Sequence, residues 1–378
     1  MIIEILFWIS VAFVLYVYIG YPSTLALMSL FIQKPVQRRP ITPSVSLIIT
    51  AYNEEKRIRD KLKNTLGQDY PRDRYEIVVA SDCSTDGTDE IVRSYAQQEI
   101  RLVRLSARSG KEAAQKAAVD ATFGEILVFS DTATILPENG VSSIVQNFAD
   151  PSVGCVSSVD RFIDADGKIS GEGVYVKYEM FLRSLETKVN TLVGLSGSFF
   201  AARRDVCQNW ASGLQSDFNT LLNSVKLGLR GVSDPESIGF YKNIVDESKE
   251  SERKVRTVLR GISVLMESLH LLNPLRYRVF SWQLLSHKLC RWLVPFAMIL
   301  AFVTNVFLLS RSVVYVYAFS AQLMFYLFGL WGIWFKLHSK VPIVKFPTFF
   351  LLVNLSILYA WCRYARGERL TWWSPSQR

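Results

Sequence analysis

Residues 126–129 are consecutive apolar side chains that end abruptly at Ser130-Asp131, with Thr132, Ala133 and Thr134 behind. A short apolar run of this kind reads as a buried, parallel-type strand. Ligands of open α/β sheets gather beyond the carboxyl ends of the strands, which is where Asp131 would sit. A carboxylate there can hold a hard divalent cation, and the cation can hold a diphosphate. The competing use of Asp131 is to cap the segment that follows, where Pro137-Glu138 suits a helix start. Comparable chemistry recurs in other loops. Ala51-Tyr52-Asn53-Glu54-Glu55 closes another apolar run, at a place where a base or ribose docks in such sheets, and Asn53 equally suits a helix N-cap. Residues 80–88 gather Asp82 and Asp86 with the hydroxyls of Ser81, Ser84, Thr85 and Thr88. Turn chemistry accounts for Asp86-Gly87-Thr88 but less well for Asp82, at the very end of its apolar run. Lys111 follows Arg108-Ser109-Gly110 at a helix start. A cation there opposes the helix dipole, which suits a side chain that faces an anion; a solvated surface lysine is the alternative.

These loops need elements to position them. Residues 45–50, 77–80, 100–105 and 126–129 read as strands, and 54–66, 88–95 and 111–121 as helices. Such alternation at short spacing is the mark of a doubly wound parallel sheet. Beyond Asp150 the rhythm loosens. Residues 153–159 read as a strand and 174–185 and 217–227 as helices; 194–202 are small and apolar around Gly197-Ser198, and 246–260 are highly charged.

Apolar sequence flanks this region. Residues 2–32 carry one charge, Glu4, and are interrupted by Gly20-Tyr21-Pro22. The run is long enough to cross a bilayer. A cleaved signal peptide fits less well, because no Lys or Arg precedes the apolar core. Lys34, Arg38 and Arg39 follow at once, which places the next domain on the cytoplasmic side. Residues 292–309, 313–334 and 343–361 are each about long enough to span. Residues 262–291 mix apolar positions with His270, Arg276, Arg278, His287, Lys288 and Arg291, as interfacial helices do. If all these runs cross, the loop 336–345 falls inside as its charge predicts, but the tail bearing Arg363, Arg366, Arg369 and Arg378 falls outside, against the charge rule.

The chain of 378 residues is 49% hydrophobic with a net charge of +9. Much of its basic excess lies beside apolar segments, which points to anionic membrane lipids rather than nucleic acid. The five cysteines are scattered without a C-x-x-C pair, which argues against thiolate metal sites and a disulfide framework and for a reducing compartment.

In order, the chain reads S-L-I-I-T-A-Y-N-E-E, I-V-V-A-S-D-C-S-T-D-G-T, S-G-K-E-A-A and V-F-S-D-T-A-T. Together these resemble the inverting family 2 glycosyltransferases over residues 45–261. Residues 197–204, 216–218 and 253–256 fit the same pattern, and the apolar flanks are similar to those of bacterial polysaccharide-making members, including relatives of hyaluronan and poly-N-acetylglucosamine synthases. The resemblance implies an α/β fold: a GT-A nucleotide-sugar-binding domain with a mixed, mainly parallel sheet, plus transmembrane and interfacial helices. The expected layout is a transmembrane helix at 1–33, a linker at 34–44 and a cytoplasmic GT-A domain at 45–261. Interfacial helices at 262–291, transmembrane helices at 292–362 and a basic tail at 363–378 complete it.

The resemblance also implies roles. Ala51, Tyr52 and Glu54 would line the nucleoside pocket, Asp82 would accept a hydrogen bond from the base, and Lys111 would lie near the phosphates. Asp131 would bind Mg²⁺ or Mn²⁺ as the first residue of a D-x-D pair. Asp217 would be the general base, and Arg253 and Arg256 would steady the leaving diphosphate. The partners implied are a nucleotide-sugar donor, a lipid-linked or glycan acceptor, membrane lipids and other proteins of a polysaccharide assembly pathway, at a bacterial cytoplasmic membrane. The chain departs from the family pattern at three points. Ala133 replaces the second metal-binding Asp, Ser216 the first of the acidic pair that ends in the base, and Thr257 the Trp that processive members stack on the acceptor. A processive, polymer-exporting synthase and a catalytically impaired scaffold are the alternative functions.

Overall fold

All seven residues of Val45–Ala51 are buried, so this strand has neighbours on both edges and both faces. The computed structural model describes residues 1–163, 174–242, 247–335 and 342–370. Asp246, the loop residues 336–341 and the tail residues 371–378, including Arg378, lie outside the described residues. The strands are β1 (Val45–Ala51), β2 (Tyr75–Ser81), β3 (Ile100–Arg104), β4 (Ile126–Asp131), β5 (Val153–Ile163), β6 (Phe199–Arg203) and β7 (Arg230–Lys242). They form one seven-stranded sheet in the order β3-β2-β1-β4-β6-β5-β7. β1 pairs in parallel with β2 and β4, and β2 with β3. β6 runs antiparallel to both β4 and β5, while β5 and β7 are parallel. The sheet is therefore mixed and mainly parallel, rather than wholly parallel as the strand–helix alternation alone suggests.

Alternation along the strands divides the core between two faces. Leu47, Ile49 and Ala51 pack with Ile58 and Leu62 of the helix Glu55–Leu66. Ile48 packs on the other face with Ala114 and Ala118 of the helix Lys111–Ala121, together with Leu127, Phe129 and Phe200. Each fully buried side chain of the Leu or Ile kind contributes about 1.5–3 kcal/mol before entropy is charged against it.

β7 escapes a reading of the sequence for a physical reason. Its middle contains Asp234-Pro235-Glu236, and proline removes a ladder donor. The register jumps there: Ser157 pairs with Ser233 but Val159 pairs with Ile238. Residues 234–237 bulge out of the ladder, so the proline is not asked to donate. The bulge also has a partner. Arg38 reaches Glu236 at 2.8 Å and Asp234 at 3.4 Å. The N–H of Gln37 donates to Asp150 and that of Lys34 to the Lys188 carbonyl. The segment expected as a linker at 34–44 is thus fastened along the α/β unit.

The chain divides into two compact units, one formed mainly by residues 28–245 and the other by 1–27, 246–265 and 269–369. Over the described residues four helices are long and apolar enough to cross a membrane: Ile2–Phe31, Val279–Leu308, Val313–Trp334 and Ile343–Ala365. Gly20-Tyr21-Pro22 does not break the first. A π turn at Tyr16–Gly20 absorbs the irregularity, and the helix continues as Tyr21–Phe31. A second π turn, Leu285–Cys290, continues from Val279–Leu284 into Arg291–Leu308, so part of the expected interfacial stretch belongs to a long apolar helix. Tyr16 hydroxyl lies 2.7 Å from Ser286 Oγ and accepts from Trp282 Nε1 at 2.9 Å, which ties the two π turns together. Gly332 lets Val313–Trp334 approach Pro342–Ala365, since a β-carbon there would overlap the Thr348 hydroxyl.

Gly124, just before β4, donates its N–H to Ser46 Oγ at 2.8 Å. A β-carbon at this glycine would stand 2.4 Å from the Ser46 nitrogen, which is backbone and cannot swing aside. Gly124→Ala is expected to cost about 2 kcal/mol or more by overpacking, and to lower the thermal midpoint by roughly 4–8 °C. Gly213→Ala is the control, because nothing lies within 4 Å of its β-carbon. Equal midpoints for the two variants in differential scanning fluorimetry would refute the clash.

Candidate active site

Parallel pairing sets the ends of three strands side by side. Thr50 pairs with Asp131 and Ala51 with Ser81, so the loops after β1, β2 and β4 leave the sheet at one edge. The Asp82 N–H donates to the Ala51 carbonyl at 3.0 Å, which ties the first two loops together at their roots.

The β1 loop folds against the β2 loop. Asn53 has a positive φ of 52°, and its side chain is not a helix cap. Its Oδ1 accepts from the Thr85 N–H at 2.8 Å, while Glu54 holds the N-cap position of Glu55–Leu66 without a side-chain bond. The Glu55 N–H of that helix finds Asp86 Oδ2 at 3.1 Å, and the same carboxylate closes its turn onto the Thr88 N–H at 3.0 Å. Glu54 is buried beside Arg57, whose Nε lies 2.8 Å from its Oε2. Burial pushes the Glu54 carboxyl up to about 6, against the opposing pull of the Arg57 guanidinium. Tyr52 is half-buried with the Arg108 guanidinium 4.0 Å from its ring centre, a cation–π arrangement.

Asp82 is fully buried. Its Oδ1 accepts from the Ser109 N–H at 2.7 Å and from the Gly110 N–H at 3.0 Å, and its Oδ2 also lies 3.0 Å from the Gly110 nitrogen. The carboxylate expected to meet a base also fixes the turn that precedes Lys111. Gly110 sits at φ 98°, where a side chain would be strained, and so delivers Lys111 at the first position of its helix. From below, the Trp210 indole donates to the Glu112 carbonyl at 2.9 Å and stacks on Phe129 of β4.

Lys111 Nζ then lies 2.5 Å from Asp131 Oδ1 and 3.0 Å from the Gly197 carbonyl. The cation at a helix start does face an anion. The Asp131 N–H donates to the Ser198 carbonyl at 2.9 Å, and the Thr134 N–H returns to the Asp131 carbonyl at 3.1 Å, closing a turn over 131–134. The capping alternative for Asp131 does not hold, because the next helix is Gly140–Val145 with Asn139 at its N-cap. Asp217 is the second residue of the helix Ser216–Lys226, is largely buried and accepts from Gln215 Nε2 at 3.1 Å. It also faces Gly197, where a β-carbon would stand 3.0 Å from Asp217 Oδ2. Lys111, Asp131 and Asp217 are therefore gathered around one glycine.

A divalent cation at this edge would have Asp131 as its nearest carboxylate. Ala133 offers no ligand oxygen, the Lys111 ammonium already stands against Asp131, and among the described residues no three His, Cys, Asp or Glu side chains gather to hold an ion. The side chains do not fit a protein-built metal centre. Arg253 and Arg256 lie in the other compact unit, on the helix Glu247–Glu267. Burial, followed by the charges of Arg260 and Arg253, lowers the basicity of Arg256, so the three arginines crowd one face.

Two features here, the Asp160 carboxylate and Lys61, were not singled out in the sequence. Ser196 and Ser198 both donate to Asp160 on β5, and Ser198 also meets the Tyr241 hydroxyl, which fixes the loop on either side of Gly197. Lys61 is buried beneath the 131–134 turn. Its signal was present, since it shares the i, i+3, i+4, i+7 stripe of Ile58, Leu62 and Thr65.

Residues 46–210 match the family model described as glycosyl transferase family 2. The chain is 35% identical over 91 residues to the glycosyltransferase AglE of Haloferax volcanii, covering 24% of this chain and 30% of that protein. It is 27% identical over 177 residues to a beta-monoglucosyldiacylglycerol synthase of Nostoc, covering 44% of this chain and 38% of the relative. The chain thus spans well under half the length of these curated relatives. In three dimensions it is similar to a mannosyltransferase of Pyrobaculum calidifontis solved with GDP-Man and Mn2+. That similarity has a TM-score of 0.73 at 22% identity and covers 96% of this chain and 99% of the other. Strand order, the loops at one sheet edge and the match over 46–210 converge: the α/β region matches glycosyl transferase family 2, and the chain carries a GT-A fold.

Proposed function

We propose that this protein is a membrane-bound inverting glycosyltransferase that moves a sugar from a nucleotide-sugar donor to a lipid-linked or polysaccharide acceptor. The observation that carries the reading is the convergence of Lys111, Asp131 and Asp217 on Gly197. A carboxylate and a cation thus lie against one residue that has no side chain to keep a ligand away from them.

The reaction is a single displacement. The acceptor oxygen forms its bond to the anomeric carbon as the bond from that carbon to the diphosphate oxygen breaks. Asp217 takes the hydroxyl proton during the attack. The nucleoside diphosphate leaves from the opposite face, and the Lys111 ammonium meets its developing charge. Attack from one face and departure from the other inverts the configuration. Asp82 acts through the Ser109-Gly110 turn that aims Lys111. Tyr52 supports a place for the base, Ala51 and Glu54 shape the floor of that loop, and Arg253 and Arg256 have the family resemblance as their support.

The mannosyltransferase was solved with Mn2+, which supports a divalent ion, Mg²⁺ or Mn²⁺, for this fold. Here such an ion would draw mainly on Asp131, the diphosphate and water. The name of the Nostoc relative specifies a glucosylated diacylglycerol. With four helices long and apolar enough to span, that supports an acceptor held at a membrane, with the α/β unit on the cytoplasmic side of a bacterial cytoplasmic membrane. Thr257 in place of a stacking Trp speaks against a processive synthase, and Ala133 with Ser216 is what favours an impaired scaffold as the second reading.

The deciding assay follows nucleotide release and sugar transfer by the full chain in nanodiscs, across a panel of nucleotide sugars with lipid acceptors. Transfer with inversion is the expected result; binding without turnover under every condition would favour the scaffold. Asp217→Asn should lower turnover by about 10²–10⁴-fold while nucleotide affinity stays within about twofold. Near wild-type turnover in that variant would remove Asp217 from the mechanism. Ala133→Asp should restore a second carboxylate and tighten Mn2+ binding at least tenfold, read by calorimetry in the presence of nucleotide. An unchanged ion affinity would show that the 131–134 turn is not where an ion is held.

A further inference from the structure

The helix Glu55–Leu66 buries Ile58, Lys61, Leu62 and Thr65 along one stripe. Lys61 is the anomaly, a cation only 3% exposed. Its ammonium donates to Ser130 Oγ and to the Thr134 carbonyl, each at 2.7 Å. Those two acceptors bracket Asp131, Thr132 and Ala133, and the Thr132 hydroxyl turns inward to the Thr50 carbonyl at 2.9 Å. The lysine therefore grips both ends of the turn from inside the domain.

Placing a charge here is costly. Both hydrogen-bond acceptors are neutral oxygens, and a buried cation without a close anion is disfavoured. Burial brings the Lys61 ammonium down to about 7, with Asp131 pulling the other way. An apolar side chain of similar length would fill the same slot in the stripe without that cost. Around Asp131 the fold thus sets two ammonium groups, Lys111 beside the carboxylate and Lys61 beneath its turn, where a single lysine would have balanced it.

We infer that Lys61 is a positioning residue for the diphosphate of the nucleotide ligand: it locks the 131–134 turn from beneath and adds positive potential to the seat above. It touches no ligand and acts through Ser130, Thr134 and the field it projects. The inference rests on the nucleotide-sugar reading and assigns a phosphate-specific share of that binding to a residue outside the loops. A residue that merely fills the core would support base, ribose and phosphate alike.

The test compares wild type with Lys61→Met and Ser130→Ala as full chains in nanodiscs, after first finding which of uridine or guanosine diphosphate binds. Calorimetry then measures the nucleoside, its monophosphate and its diphosphate, alongside thermal midpoints. Lys61→Met should lose about tenfold or more in diphosphate affinity, less for the monophosphate and under twofold for the nucleoside, because a Coulombic contribution scales with ligand charge. Ser130→Ala keeps the charge and removes one tether, so it should show a smaller loss with the same order. If Lys61→Met does not fold, Ser130→Ala decides by itself: a graded loss supports the inference and unchanged affinities overturn it. Equal losses across the three ligands, or none, also overturn it while leaving the nucleotide-sugar reading intact. Failure of the wild type to bind any nucleotide, with or without Mn2+, would bring down both.

Discussion

The Lys111 ammonium is the joint on which the edge of this sheet turns. It links the start of one helix, the end of β4 and the loop before β6, three segments far apart in sequence. None of the three would hold its place by local preference alone. A lysine at a helix start is electrostatically out of place, an Asp at a strand end is free to cap something else, and Gly197 has no side chain to anchor it. The pairing resolves all three at once, and it does so at a level fixed by the parallel register of β1, β2 and β4. The buried Asp82 works one step behind, since the turn it fixes decides where Lys111 begins.

This joint also accounts for the way the chain departs from a two-carboxylate metal site. With Ala133 beside it, Asp131 has charge enough for one close cation, and an ammonium group is already there. The local balance is tilted further by Lys61. A site of this kind receives an anionic ligand readily and a free divalent ion reluctantly, so any ion would arrive with phosphate oxygens to complete its shell.

Much of the fold was legible because apolar runs stop sharply at polar, turn-forming residues. The four strands read before residue 130 are all present, each within a few residues of its expected ends; the run at 77–80 proves to be Tyr75–Ser81. Beyond that point the signals weaken for definable reasons. The small apolar stretch around Gly197 gives no indication of strand direction, and β6 enters antiparallel. Pro235 hides β7, because proline in a strand is tolerated only where a bulge releases it from the ladder. At the site, the misfit of Lys111 with the helix dipole pointed correctly to an anionic neighbour. The sealing of Asp82 by backbone N–H groups could not be read, since it depends on where another loop comes to rest. Lys61 was concealed by company: among Glu, Lys, Arg and Asp neighbours it looks like one more solvated charge, and only its phase along the helix marks it as buried.

The paired π turns of the membrane-type helices bear on how such a chain can change over time. A π turn is what remains when an α-helix accommodates one extra residue without unwinding. Two of them face each other here, and Tyr16, Ser286 and Trp282 register one against the other. Removing a residue from either turn would restore an ordinary helix and leave the residues beyond it in phase, but it would take away the widened turn that carries that contact. Each turn is therefore a place where one residue can be gained or lost without re-phasing its helix, and what such a change alters is the contact among Tyr16, Ser286 and Trp282.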